Sequence, residues 1–377
     1  LVLAELQYSL GAYGEVESIC RRILAMDLPD VLGEQPYFAH EKAYFLLGDI
    51  YGRRQDRDAL VTTYEEALER YPSSYYSADM TFALGEALFQ GEDLAGAARV
   101  FGRFREEFAQ HPNLAYALYY LGYARFNLTE FDRAAAVFGD LAQAYPESEL
   151  AADALFRAGE ASFNLEQFEA ARDFYEQVLE THGDSDMADD ALYNLAWSLL
   201  NLKREAEALA AFARLSSGRS DSPLAASAQF TIGDYHYNKA DYERSLEAYR
   251  EVMRRFPDSE VAGKVPAILA DLREVVAYLK YTEVESVFVA ALEDQDPEKF
   301  RRAIAGFSQI ALDYPGTESE IGALSNMGVS HESLGEWKEA VQAYDKVLDR
   351  FAGADAERYE AYRFARMHKE WIEASRL

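Results

Sequence analysis

The residues able to do chemistry recur along the chain instead of converging on one point. Gly48, Gly85, Gly122, Gly159 and Gly233 stand 37 residues apart, with Ala196 in the same phase. Three residues before that position lie Phe45, Phe82, Tyr119, Phe156, Tyr193 and Phe230, and four after it Phe89, Phe126, Phe163, Leu200 and Tyr237. Five after it come Gln90, Asn127, Asn164, Asn201 and Asn238. Carboxylates fringe these ladders: Asp79, Asp153 and Asp190 on one side, Glu86, Glu160 and Asp234 on the other. The chemistry is recognition. Amides can bond an extended backbone, rings can take apolar anchors, and carboxylates can take Lys or Arg.

The same residues also admit a structural reading, in which the rings pack between neighbouring first helices and the amides cap helix ends near a turn. Both hold at once where a ring packs one edge and exposes the other. Tyr116, Tyr119, Tyr120 and Tyr123 crowd one unit with rings and mark it as the expected hot spot, and Trp197 joins the candidate groove set.

Nothing is arranged for catalysis. There is no phosphate-binding GxxxxGK[ST], no GxGxxG after a strand, no HExxH and no nucleophile elbow. The six histidines are scattered without ligand spacing. Asp184, Asp186, Asp189 and Asp190 form an acidic joint, but the glycine and closing Glu of a calcium loop are missing. Asp294 and Asp296 before Pro297 read as a helix start, and Asn127-Leu128-Thr129 as a chance glycosylation pattern. Cys20, the only cysteine, follows a helical apolar pattern and reads as a small buried hydrophobe. No catalytic, cofactor or metal residue is assigned, and the expectation is a non-enzyme.

The ladders need helices to carry them. Sixteen residues past the glycine position is always a ring: Tyr64, Phe101, Phe138, Tyr175, Phe212, Tyr249 and Tyr344. Twelve past it is a small residue such as Ala97, Ala134 or Ala171, and twenty-four past it Pro72, Pro146 or Pro257 ends a helix. Eleven before it, Ser74, Ser148, Ser185, Ser222, Ser259 and Thr317 are expected as helix N-caps. Each unit is therefore a pair of amphipathic helices, and a fixed period of this size is the mark of a solenoid. A loop is expected over 28–38. The period slips by 21 residues between Gly233 and Gly328, which predicts one long helix over 259–293. The expected organisation is an array of about seven repeats over 1–258, that connecting helix, further repeats over 294–352 and a capping helix over 353–377.

Composition narrows the partners. A formal charge of −29 argues against nucleic acid and anionic lipid, and favours basic protein segments. No run of 18 apolar residues appears, so no membrane-inserting stretch is expected. The chain opens at Leu1 inside a helical pattern, so a signal peptide or lipid anchor could precede it unseen.

The Leu-Gly, Ala, ring and Pro offsets resemble the tetratricopeptide repeat (TPR), whose usual length is 34 residues. The resemblance implies an all-α, right-handed helical-hairpin superhelix with a concave groove. The three extra residues here are expected to lengthen the first helix. The longer period, with the joint Tyr145-Pro146-x-Ser148-x-x-Ala151, resembles repeats of bacterial envelope proteins, namely the BamD-like outer-membrane assembly lipoproteins and the Tol–Pal coordinator family. That implies a periplasmic scaffold holding partner segments. The alternative is a cytoplasmic TPR adaptor or the regulatory region of a longer protein.

Overall fold

In a computed structural model, residues 1–27, 31–32, 35–36, 38–353 and 360–377 are described. They form helices throughout, apart from one two-residue antiparallel pair, β1 (Val31–Leu32) with β2 (Gln35–Pro36). That pair lies inside the expected loop, and the remaining loop positions 28–30, 33–34 and 37 fall outside the described residues. The chain divides into two compact units, Leu1–Ala211 and Phe212–Leu377.

The first unit holds α1 (Val2–Ser9), α2 (Tyr13–Leu24), α3 (Ala39–Arg53), α4 (Arg57–Arg70), α5 (Ser77–Gln90), α6 (Leu94–Glu107), α7 (Leu114–Asn127), α8 (Phe131–Ala144), α9 (Ala151–Asn164), α10 (Phe168–Thr181) and α11 (Ala188–Asn201). The division falls inside α12 (Glu205–Gly218). The second unit continues with α13 (Ala225–Asn238), α14 (Tyr242–Arg255), α15 (Val265–Asp294), α16 (Pro297–Asp313), α17 (Glu318–Ser333), α18 (Trp337–Arg350) and α19 (Glu360–Ser375). Positions 354–359, ahead of α19 in the expected cap, are outside the described residues.

The TPR hairpins with a glycine at the crossing close on one contact. A Cβ added to Gly85, Gly122 or Gly233 would sit 2.6–2.7 Å from the ring of Phe101, Phe138 or Tyr249, closer than carbon atoms approach. Glycine lets that ring lie on the bare backbone of the first helix, and Phe101 and Phe138 are wholly buried there. In the short first hairpin Ala4 and Cys20 hold the two equivalent positions, both fully buried. Burial pushes the Cys20 thiol up to about 11, so it behaves as a packing group.

The turn between paired helices has a recurring form. Gln55, Glu92, Thr129, Glu166, Lys203 and Ala240 all take φ of 57–62°. The next residue's N–H then reaches back five residues, as in Asp93 to Leu88 and Glu130 to Arg125, closing the helix end. Asp56, Asp93 and Asp241 cap the second helix from that position.

Three expectations are corrected. The first helices are not lengthened: α5, α7 and α9 have fourteen residues, the same as their partners α6, α8 and α10. The extra residues form hydrogen-bonded turns in the joint, such as Ser77 N–H to the Ser74 carbonyl. Accordingly Ser74, Ser148 and Ser222 are not N-caps; each hydroxyl accepts from the N–H two residues on, inside that turn. Ser259 and Thr317 do cap, and Glu320 answers Thr317 by accepting from the Gly316 N–H. Last, α15 starts at Val265, because Glu260–Lys264 form a 3-10 turn ahead of Pro266.

The division between units also differs from the break expected near residue 258. Helix α15 joins two cores of the second unit. Its Val265 and Leu272 pack with Tyr249 and Val252 of α14, while its Phe288 and Ala291 pack with Phe300 and Phe307 of α16.

Phe138→Ala should cost about 3–5 kcal/mol by the cavity it leaves, and Gly122→Ala about 1–3 kcal/mol by overpacking the same ring. Gly102, which faces open space on α6, should gain about 0.5–1 kcal/mol when changed to Ala. Urea unfolding followed by helical ellipticity checks the opposite signs.

Candidate partner-binding face

In the first unit the first helices α3, α5, α7, α9 and α11 touch in succession, α7 and α9 through side-chain hydrogen bonds. The candidate residues of this unit lie on the side they share. The two aromatic ladders are bound more tightly into their own hairpins than expected. The ring before the glycine packs on the ring that covers it: Phe82 on Phe101 at 5.8 Å, Tyr119 on Phe138 at 6.3 Å and Phe156 on Tyr175 at 5.8 Å. The ring after it packs on the start of the second helix: Phe126 on Phe131 at 5.1 Å and Phe163 on Phe168 at 5.2 Å. Packing within a hairpin, more than between first helices, thus sets most of these side chains. Phe82 and Phe89 also meet the neighbouring hairpin through Tyr120, at 6.4 and 5.2 Å.

Phe230, Tyr237 and Asn238 belong to the second unit. There Phe230 packs on Tyr249 at 5.2 Å, Tyr237 on Tyr242 at 5.8 Å, and Tyr237 and Asn238 are exposed. The amide ladder is exposed, but Asn164 and Asn201 donate to carbonyls of their own helices, Glu160 at 2.8 Å and Trp197 at 2.9 Å. These two amides close helix ends. Asn127 is exposed at the end of α7.

The tyrosine-rich helix α7 is joined to α9 by a polar network. Tyr119 and Tyr123 both donate to Asp153 Oδ2, at 2.6 and 2.8 Å, and Arg157 Nε donates to the Tyr123 hydroxyl at 2.8 Å. Arg157 also reaches Asp153 at 3.3 Å and Glu160 at 2.6 Å. Tyr116 donates to Glu149 at 2.7 Å, and Tyr120 stacks flat on Phe101. Burial, then Asp153, holds the Tyr119 phenol above its usual range, and burial does most of the same for Tyr123. Burial opposes the charge on Arg157, yet Glu160, Tyr123 and Asp153 outweigh it and raise its pKa.

Between α9 and α11 the face opens into a cleft of about 460 Å³. Phe163, Tyr193 and Trp197 supply its rings, Glu160, Asn164 and Asn194 its polar edge, and the Tyr175 ring lies at its floor. Asp190 stands one turn before Tyr193 and Asn194. Burial, then the neighbouring Asp189 charge, raises its carboxyl above the ordinary range. Glu86 on α5 is raised by burial in the same way, partly offset by a hydrogen bond from Tyr120.

Sequence reading missed Arg157, Asn194 and Glu149. A signal existed for the first two. Two residues before the glycine position the type changes in every unit (Leu46, Ala83, Tyr120, Arg157, Asn194, Thr231) while both neighbours stay apolar.

The network has a stability signature. Phenols raised in the folded state keep protons that the unfolded chain releases near pH 10. Their contribution is therefore complete below that pH and lost as pH climbs toward the folded values. Tyrosinate absorbance should rise in two stages, the second coinciding with loss of helical ellipticity. Asp153→Ala, which strips two phenols of their acceptor, should cost about 1.5–3 kcal/mol in urea at neutral pH.

The comparisons follow this geometry. A MamA protein of known structure aligns at 18% identity over 46% of this chain and 89% of its own, with a TM-score of 0.39. MamA AMB-1 aligns at 19% identity over 48% and 93%, with a TM-score of 0.40. MamA 41-end from Desulfovibrio magneticus RS-1 aligns at 18% identity over 46% and 92%, with a TM-score of 0.37. No curated protein matches the chain. The sequence pattern of the family YfiO, described as outer membrane lipoprotein, matches residues 50–160 and 129–348, which together take in most of the chain. With its TPR hairpins and this match, the chain belongs to the YfiO family of BamD-like outer membrane lipoproteins.

Proposed function

We propose that this protein is a non-catalytic scaffold of the bacterial cell envelope that holds segments of protein partners along the first-helix face of its TPR hairpins. The observation that carries the reading is the face itself. Successive first helices present half-buried rings and carboxylates side by side, and between α9 and α11 they leave an open cleft. A half-buried ring offers a partner one apolar edge while its other edge is already fixed, so little side-chain entropy is lost on binding.

Family membership supports an envelope setting, with work in outer-membrane assembly as the specific proposal. Among the described residues no helix is long and apolar enough to cross a membrane. The acidic balance favours partners with basic segments, drawn in by a field that salt screens.

The test places a photo-crosslinking residue at Tyr116, Asn164 or Asn201 on the first-helix face, and at Arg103 or Gln143 on second helices. Crosslinks are made in the native cell and identified by mass spectrometry. Outer-membrane or peptidoglycan-associated proteins captured from the first-helix positions alone are the expected outcome. Cytoplasmic proteins alone would move the protein to the adaptor reading, and equal capture from both sets would sink the groove. Raising salt from low to physiological levels should weaken the captured association, and indifference would point to an apolar interface.

A further inference from the structure

We propose that a cleft where α6, α7 and α8 meet is a seat for one phosphate group, carried by a small molecule or by a lipid headgroup. It is distinct from the cleft between α9 and α11, and its test does not depend on the groove reading.

The chain holds 66 Asp and Glu against 37 Lys and Arg. Against that balance, a cleft of about 450 Å³ is lined by Arg105 of α6, Arg125 of α7 and Arg133 of α8, with Ala136 and Val137 beside them. No carboxylate is among its described lining residues.

The repeat shows that packing does not require these charges. Arg125 stands three residues after the glycine position, where other units carry Leu88, Ser162 and Leu199. Arg105 stands twenty residues after that position in the preceding unit, where others carry Leu68, Ala142 and Leu179. From Gly48 to Gly233, arginine holds both positions only at this boundary.

The protein's own acids match the three cations incompletely. Arg105 Nη2 donates to Asp140 Oδ2 at 2.7 Å. Arg125 and Arg133 share a single oxygen, Glu130 Oε2, at 3.4 and 3.0 Å. Both are longer than the about 2.7–2.9 Å of a good charge-assisted bond. Two carboxylates thus answer three guanidiniums. Arg125 Nε is shut from solvent and has no hydrogen-bond acceptor among the described residues. An orphaned N–H on a partly buried cation is costly, and an anion held beside that guanidinium offsets the cost by charge.

The make-up of the cluster selects the anion. A planar carboxylate presents two oxygens to one fork, whereas the three arginines here come from three helices. A phosphate presents its oxygens in a tetrahedron and can be shared among them, and its charge of about −1.5 to −2 suits a cluster whose own acids fall short. All three cations are arginine, the side chain whose planar fork fits phosphate oxygens. A basic group would meet like charge.

The test uses the full chain with isotope-labelled arginine. Slightly above neutral pH it is titrated with inorganic phosphate, with glycerol phosphate and, at equal ionic strength, with acetate. The Arg125 Nε–H resonance is assigned by its loss in Arg125→Leu. It should shift saturably with both phosphates and stay in place with acetate. Arg105→Leu and Arg125→Leu each introduce the residue that other units carry there, so helical ellipticity should be kept. Each should raise the phosphate Kd, read by titration calorimetry, by at least about tenfold, as loss of a charge-assisted contact implies. Arg254→Gln on α14, outside the cleft, should leave it unchanged.

Sedimentation with phosphatidylcholine vesicles, with and without phosphatidic acid, separates the two sources. Capture by the acidic vesicles that both leucine variants lose places the phosphate on a lipid. Soluble binding without such capture places it on a small molecule. A response to acetate equal to that of phosphate would overturn the proposal in favour of a general anion site. A shift that does not saturate, or a Kd unchanged in both leucine variants, would overturn it outright.

Discussion

The hairpins with a glycine at the crossing depend on one contact, a ring laid on a backbone that has no side chain in the way. The glycine fixes how closely the two helices cross. The ring sixteen residues later fills the space, and a second ring three residues before the glycine packs against its edge. The first-helix face is thus built directly on the core of the hairpin. A change at Phe101 or Phe138 removes support from Phe82 or Tyr119, so stability and surface shape cannot be tuned independently there.

The choice of tyrosine or phenylalanine at the covering position has a further consequence. A buried phenol must find an acceptor. Tyr64 donates to the Phe45 carbonyl, Tyr249 to Asp234 and Tyr344 to Glu332. For Tyr249 and Tyr344 the acceptor is a first-helix carboxylate. Some of the acidic fringe is therefore occupied from behind by the core, and its charge serves the fold before it can serve a partner.

The hairpin array was legible because glycine, small residue, ring and proline fall at offsets that only this packing requires. Other features were less legible for identifiable reasons. The left-handed turn residue is mostly glutamine, glutamate, threonine, lysine or alanine, and only Gly11 and Gly335, among the described hairpins, advertise the conformation by type. The joint serines carry the same signal whether they cap a helix or a turn two residues earlier, since both roles need one hydroxyl beside a free N–H. The tyrosine cluster of α7 reads as a binding surface because sequence shows its rings and hides the acceptors, which arrive from α9 across the hairpin boundary. Asn164 and Asn201 look alike from sequence whether they face a partner or close their own helix.

Constancy and variation along the array then have different meanings. Residues that repeat from Gly48 to Gly233, such as the rings three before and sixteen after that position, build the hairpin and are largely committed to it. On the proposed scaffold reading, discrimination between partners would come from positions that the packing leaves undetermined. Those two before the glycine run Leu46, Ala83, Tyr120, Arg157, Asn194 and Thr231, and those one after it run Asp49, Glu86, Tyr123, Glu160, Trp197 and Asp234. Both sets lie beside the shared rings of the first helices, and their charge, size and hydrogen bonding change from unit to unit. Within the first unit, a scaffold that repeats its supports and varies the residues between them would, on the proposed reading, present a row of different subsites. On that reading, an extended segment with a matching sequence of side chains would engage the row better than one of the same composition in another order.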